Sequence, residues 1–179
     1  MKRLTEYETA WVLGGAERVA LTVFVAMVNA GQLEVAYKRQ RVREGERPLT
    51  AADGSAALRI ETAALDLLPE SGLAVDDFGA RLAASPALKA LDSALAAKGV
   101  ARPRFLARFS PLHRELREQK ATGVRRVAVL GVDGIEDERL REIFEHPLPA
   151  VPKFATVNPI RDNTFDGSIG PTPGIIYGS

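Results

Sequence analysis

The chain has 179 residues and a formal net charge of +1, with 46% apolar and 26% charged residues. These values are typical of a globular protein with one medium domain or two small ones. It contains no cysteine, so disulfides, thiolate catalysis and cysteine-rich metal sites are excluded. The most apolar run, VALTVFVAMVNA, is about a dozen residues long, whereas a membrane span needs roughly 20. Because the N-terminus also lacks the apolar region of a signal peptide, we expect a cytoplasmic chain with no membrane span.

The first predicted element is a short helix over 5–13, which begins with the capping-box sequence TEYE. A second helix over 16–30 follows Gly14 and Gly15, each of which would cost about 1 kcal/mol inside a helix. The glycines form either a turn between two helices or a loop that binds an anion at a helix N-terminus. Glu17 would repel phosphate, and no strand precedes the glycines as a nucleotide-binding motif requires. The turn is therefore the stronger interpretation.

Gly31 is typical of the residue that ends a helix, and the alternating sequence LEVAY over 33–37 predicts a strand. The basic stretch that follows predicts a hairpin resembling the wing of a winged-helix domain. After a further helix over 57–68, a similar order recurs: a helix over 75–84, Ser85 and Pro86 as a cap and first helical residue, and a helix over 86–98 that ends at Gly99, with Val100 leading out. The repetition predicts two winged-helix-like units.

The remainder of the chain predicts a helix over 111–121, a strand at VRRVAVLG (124–131), and an amphipathic helix at EDERLREIFEH. From Pro147 onward, six prolines and four glycines interrupt any helical or strand period. The predicted fold class is therefore α+β, mostly α, with a short β wing and an extended C-terminal tail. The predicted domains are 1–56, 57–146 and the tail 147–179.

Catalytic and metal-binding patterns are weak. The two histidines, His113 and His146, lie in or directly after predicted helices, where the helix dipole explains His146. Residues 162–173 begin like a calcium loop, but its last position is Pro173 instead of a bidentate glutamate. An Asp-Gly turn at Asp166 is the better interpretation. We expect no catalytic residues, no metal and no cofactor.

Two kinds of partner remain. A winged helix often reads the DNA major groove, and its phosphate contacts here would be Lys38, Arg39, Arg41 and Arg43. A second basic patch, 102–126, has eight lysines and arginines against two glutamates. However, helix 16–30 is apolar on nearly all sides and should be buried, which leaves DNA binding as the alternative.

The stronger hypothesis is a protein or peptide partner, because winged-helix strand edges accept extended peptides and the tail is a segment of that type. An inert linker is the competing interpretation of the tail. The residues expected to contact a partner are Phe154, Asn158, Asn163, Phe165, Asp166, Ile175 and Tyr177.

The opening sequence resembles the soluble N-terminal domain of an uncharacterised family of bacterial membrane proteins, common in actinobacteria, that begins L-T-x-Y-E-x-A-x-L-x-G-G-x-x-R-V. The matching positions are Leu4, Thr5, Tyr7, Glu8, Ala10, Gly14, Gly15, Arg18 and Val19. The similarity continues more loosely to about residue 100.

This resemblance implies no established activity. Many members continue into membrane spans and end in Gly- and Cys-rich tails, and some are encoded near non-haem iron enzymes that modify peptides. This chain departs from them in its Pro-rich, cysteine-free tail, which rules out a cysteine core as the modified site. The resemblance implies a non-catalytic accessory or carrier protein whose tail is presented to a metal-dependent peptide-modifying enzyme.

Overall fold

The computed structural model describes residues 4–49, 56–100, 111–118 and 120–148. Contacts divide the chain into Met1–Leu148 and Pro149–Ser179, and the described residues belong to the first unit. They form an α+β fold that is mostly helical, which confirms the predicted class. The helices are α1 (Glu6–Asn29), α2 (Ala56–Asp66), α3 (Val75–Ala83), α4 (Pro86–Ala97), α5 (Pro111–Glu118), α6 (Gly123–Leu130) and α7 (Glu138–Glu145). The strands are β1 (Leu33–Ala36), β2 (Arg41–Glu44) and β3 (Leu73–Ala74).

Helix α1 contains a break at Gly15. Its φ of 69° and ψ of −159° lie in a region that is almost restricted to glycine, so two helical segments meet at this residue. The predicted separation of two helices at Gly14-Gly15 is confirmed, although only Gly15 has a non-helical conformation. The predicted capping box is also present: Thr5 Oγ1 accepts from the Glu8 N–H at 3.2 Å, and Glu8 Oε2 accepts from the Thr5 N–H at 2.9 Å.

The second half of α1 forms the centre of the core. By length and composition alone, α1 is the one helix among the described ranges that could cross a membrane. In the fold, its residues Val19, Val23 and Met27 are fully buried. Phe24 lies 5.6 Å from the ring of Phe78 on α3 and 5.6 Å from the ring of Phe144 on α7. The expectation of a buried helix is therefore confirmed.

Three antiparallel strands form a small sheet in the order β1-β2-β3. The predicted hairpin pairs Leu33 with Glu44 and Ala36 with Arg41. Strand β3 was not predicted, because two residues are too few to show a period; it pairs with Arg41 and Val42 of β2. The sheet thus joins strands from both of the predicted domains 1–56 and 57–146.

Helices α3 and α4 agree closely with the predicted ranges. Ser85 caps α4 by accepting the Leu88 N–H at 3.4 Å, and Pro86 is its first residue. Gly99 has a φ of 76° after the helix, which explains glycine there. The amphipathic helix predicted near the end is α7, with Leu140 and Ile143 buried.

The prediction of a strand at VRRVAVLG is wrong, because α6 occupies 123–130. Its β-branched residues favour a strand locally, but such propensities are weak against tertiary packing. Val127 and Ala128 are buried in the core cluster that includes α1. The short strand within 57–146 lies at Leu73–Ala74 instead.

A half-buried arginine connects α1 to α6. Arg18 Nη1 donates to the carbonyl oxygen of Val129 at 2.7 Å, and burial lowers the pKa of the guanidinium. A Cβ on Gly14 would lie 2.5 Å from Arg18 Nε, and a Cβ on Gly131 would lie 3.1 Å from Arg18 Nη2. Both glycines therefore leave the space that the arginine side chain occupies.

The start of α1 is also connected to the end of α4. Lys98 Nζ donates to Glu8 Oε1 in an ion pair that is half-exposed on the lysine side and largely buried on the glutamate side. Burial alone would raise the pKa of Glu8. The hydrogen bonds from Lys98 and Thr5 outweigh that effect, so the pKa lies below its ordinary value.

Replacing Gly15 by alanine is expected to lower the free energy of unfolding by about 1–3 kcal/mol, because a Cβ is strained at this backbone conformation. The matched control is Gly79→Ala inside α3, where a Cβ would meet no atom within 4 Å. That change is expected to stabilise the protein by about 0.5–1 kcal/mol. Chemical denaturation measures both; equal effects of the two substitutions would contradict the assigned break.

Glu8→Gln is expected to lower the free energy of unfolding by about 1 kcal/mol near pH 7. A carboxyl whose pKa is lowered by folding stabilises the protein above its unfolded pKa, and this contribution disappears as the pH falls through the folded pKa. The difference between variant and parent should therefore shrink near pH 3. Denaturation curves at both pH values test this, with the exposed Glu46→Gln as the control that should show no such change.

Candidate functional site

The candidate site is at the tip of the β1–β2 hairpin. A 3₁₀ turn, Tyr37–Arg39, is followed by Gln40 with a φ of 45°. Residues other than glycine rarely adopt a positive φ, so other contacts must stabilise this turn. The Gln40 N–H donates to the Tyr37 carbonyl at 3.1 Å, and the Gln40 carbonyl accepts from the Val75 N–H at 3.0 Å.

The side chain of Gln40 holds the last described residues of the chain. Its Nε2 donates to the His146 carbonyl at 2.8 Å, and its Oε1 accepts from the Leu148 N–H at 2.7 Å. One amide thus pairs with the donor and acceptor of a passing backbone, as a neighbouring strand would. We call these two hydrogen bonds the Gln40 clasp; they fix the path of the chain just before residue 149.

A cavity of about 890 Å³, the hairpin cavity, lies between the hairpin tip and α7. Its cationic side chains come from both walls: Lys38 and Arg39 from the hairpin, and Arg139 from α7. Glu142 is its acidic residue. The remaining lining residues are Ala36, Tyr37, Gln40, Ile143, His146 and Leu148.

Tyr37 links the hairpin to the start of α7. Its hydroxyl lies 3.5 Å from Asp137 Oδ2, at the long limit of a hydrogen bond. Asp137 also caps α7 by accepting the N–H groups of Arg139 and Leu140 at 2.9 and 3.3 Å. Burial raises the pKa of Tyr37, and Asp137 adds to the increase. The tyrosine therefore stays neutral and serves as a donor at this junction.

The four basic residues named for nucleic-acid contact have different surroundings. Arg41 Nη2 donates to the carbonyls of Ser71 and Gly72 at 3.2 and 2.6 Å, which ties β2 to the turn before β3. Arg43 forms an ion pair with Glu34 across the hairpin at 2.7 Å. Only Lys38 and Arg39 of the four line the hairpin cavity.

The residues named for partner contact, Phe154, Asn158, Asn163, Phe165, Asp166, Ile175 and Tyr177, lie outside the described residues. Residues 102–110 of the basic patch 102–126 lie outside them as well. The site that the structure does describe includes Gln40 and Arg139, which sequence reasoning missed. Gln40 is 106 positions from the carbonyl that it binds, and no local pattern marks such a contact.

Gln40→Asn is expected to break the clasp while keeping an amide that tolerates the left-handed backbone, because asparagine is one methylene shorter. Loss of these hydrogen bonds should cost about 1 kcal/mol and accelerate hydrogen exchange at the Leu148 amide. Exchange measured by NMR or mass spectrometry tests this. Lys38→Ala, in the same turn, is the control; equal protection of Leu148 in Gln40→Asn would contradict the assigned role of Gln40.

The chemistry of the described residues is limited. Within the ranges that the structure covers, no group of three or more His, Cys, Asp or Glu side chains could hold a metal ion. The hairpin cavity offers cationic groups beside apolar ones. Comparisons with protein-family models, curated proteins and solved structures find no match to this chain.

Proposed function

We propose that this chain is a non-catalytic protein- or peptide-interaction module. Its compact unit binds a protein partner, and its segment 147–179 is presented to a modifying enzyme. The observation that carries the proposal is the Gln40 clasp, which fixes His146 and Leu148 beside the cationic hairpin cavity. The proposal is that a partner recognises the Pro- and Gly-rich sequence that follows this fixed point.

The nature of the enzyme follows from the resemblance of residues 4–19 to the bacterial family described above. We propose a metal-dependent enzyme that modifies peptides, with 147–179 as its substrate or docking segment. The residues of this segment proposed to contact the enzyme are Phe154, Asn158, Asn163, Phe165, Asp166, Ile175 and Tyr177.

We also propose a winged-helix-like organisation for the compact unit. Helices α3 and α4 are joined only by Ala84 and Ser85, as in a helix-turn-helix pair. The β1–β2 hairpin corresponds to the wing. Pairing of β2 with β3, directly before α3, supports this arrangement.

A DNA-binding regulator is the competing function. The hairpin presents exposed Lys38 and Arg39, which favours it. Three features count against it: the helix before the hairpin is buried, Arg41 binds backbone carbonyls, and Arg43 is paired with Glu34. A groove-reading helix needs an exposed polar face to reach base edges.

The proposal predicts that the full chain, expressed with the enzymes encoded next to it, carries a mass change that peptide mapping places within 147–179. Chain expressed alone should lack the change. Gln40→Asn should lower the modified fraction, because it releases the start of the segment, whereas the exposed Lys89→Ala on α4 should not. An unmodified chain in the presence of active enzymes would remove the presentation role.

Electrophoretic mobility on random duplex DNA, at about 50 and about 200 mM salt, separates the two functions, since phosphate contacts make binding strongly salt-dependent. The informative variant is Lys38→Ala/Arg39→Ala, because Arg41 and Arg43 make structural contacts. We expect that any binding of the parent protein to DNA is unchanged in this variant. Salt-sensitive binding that is lost in the variant would overturn the interaction module in favour of a DNA-binding regulator.

A further inference from the structure

The hairpin cavity has an excess of positive charge. Among its described lining residues, Lys38, Arg39 and Arg139 face a single carboxylate, Glu142. All four are exposed, so they form a polar rim at the surface. Complementary charge at a rim of this kind steers the approach of an oppositely charged partner and selects among partners.

Apolar surface lies beside these charges. Leu148 is 51% exposed, and only one other large apolar side chain in the described part of the chain is comparably exposed. Ile143 lines the same cavity and reaches into the core. A ligand that matches this surface carries both acidic groups and an apolar side chain.

The breadth of the site favours a protein segment over a small molecule. Small-molecule pockets enclose most of their ligand, whereas seven of the ten residues that line this cavity are exposed. Ala36, the last residue of β1, is one of them, and β1 pairs with β2 alone within the described sheet. An extended segment added at a strand edge would therefore continue into the cavity.

The number of cations argues against a nucleic acid. Each neutralised phosphate adds to the affinity for DNA, and a strongly salt-dependent complex involves about 6–10 such contacts. The described lining supplies three cations together with a carboxylate that would repel phosphate.

We propose that the hairpin cavity binds an acidic, extended segment of a partner protein, with an apolar side chain seated at Leu148 and Ile143. This inference rests on the proposed function and gives the chemistry of its partner. Carboxylates of the segment pair with Lys38 and Arg139 on opposite walls.

Fluorescence anisotropy with the full chain tests the site directly. The probe is a labelled short peptide of alternating glutamate and leucine, and the control peptide has glutamine in place of each glutamate. Lys38→Ala/Arg139→Ala is expected to weaken binding of the acidic peptide about tenfold. Arg59→Ala/Lys89→Ala, which removes the same charge from exposed positions on α2 and α4, is expected to leave it unchanged. Equal thermal midpoints exclude unfolding as the cause.

Three outcomes would overturn the proposal: equal binding of the glutamine peptide, equal weakening by both double variants, or tighter binding of an oligonucleotide of matched charge. The anisotropy test uses no modifying enzyme, so its result is separate from that of the mass measurement. Peptide binding without modification would remove the presentation role and leave the acidic-segment site standing. Modification without peptide binding would remove the acidic-segment site and leave the presentation role standing.

Discussion

The hydrogen bond from the half-buried guanidinium of Arg18 to the carbonyl of Val129 joins α1 to α6. Gly14 and Gly131 leave the space for that side chain, and Gly15 redirects the backbone just before it. Because even a partly buried charge is destabilising without a partner, this contact couples the two helices. Helix α7 follows α6 after one short turn, so the position of the hairpin cavity depends on the same constraint.

Local chemistry made much of the fold predictable. The Thr5 capping box, the Ser85–Pro86 start of α4 and the glycine after it each depend on neighbours within a few residues, and each lies where predicted. The wrong prediction arose where contacts between residues distant in the sequence determine the secondary structure. The β-branched residues of α6 favour a strand, yet Val127 and Ala128 are helical because they pack in the core with α1.

The candidate site was less predictable than the fold for the same reason. Its basic residues were visible in the sequence as one run, but the run divides into two groups in the structure. Arg43 pairs with Glu34 across the hairpin and Arg41 ties β2 to the turn before β3, whereas Arg139 on α7 lines the cavity. A run of basic residues in the sequence predicts a positively charged surface. It does not show which of those residues are paired within the fold and which remain available to a partner.

The Gln40 clasp also has a consequence for the order of folding. The hairpin can close soon after its own residues are synthesised, since its pairs are close in the sequence. The clasp joins positions 106 apart, so it must wait until α6 and α7 have been made and packed. Contacts with such separation form only after the entropy of a long loop has been overcome. While the compact unit is only partly folded, Gln40 therefore cannot bind His146 and Leu148. The two hydrogen bonds form only after the rest of the unit has folded.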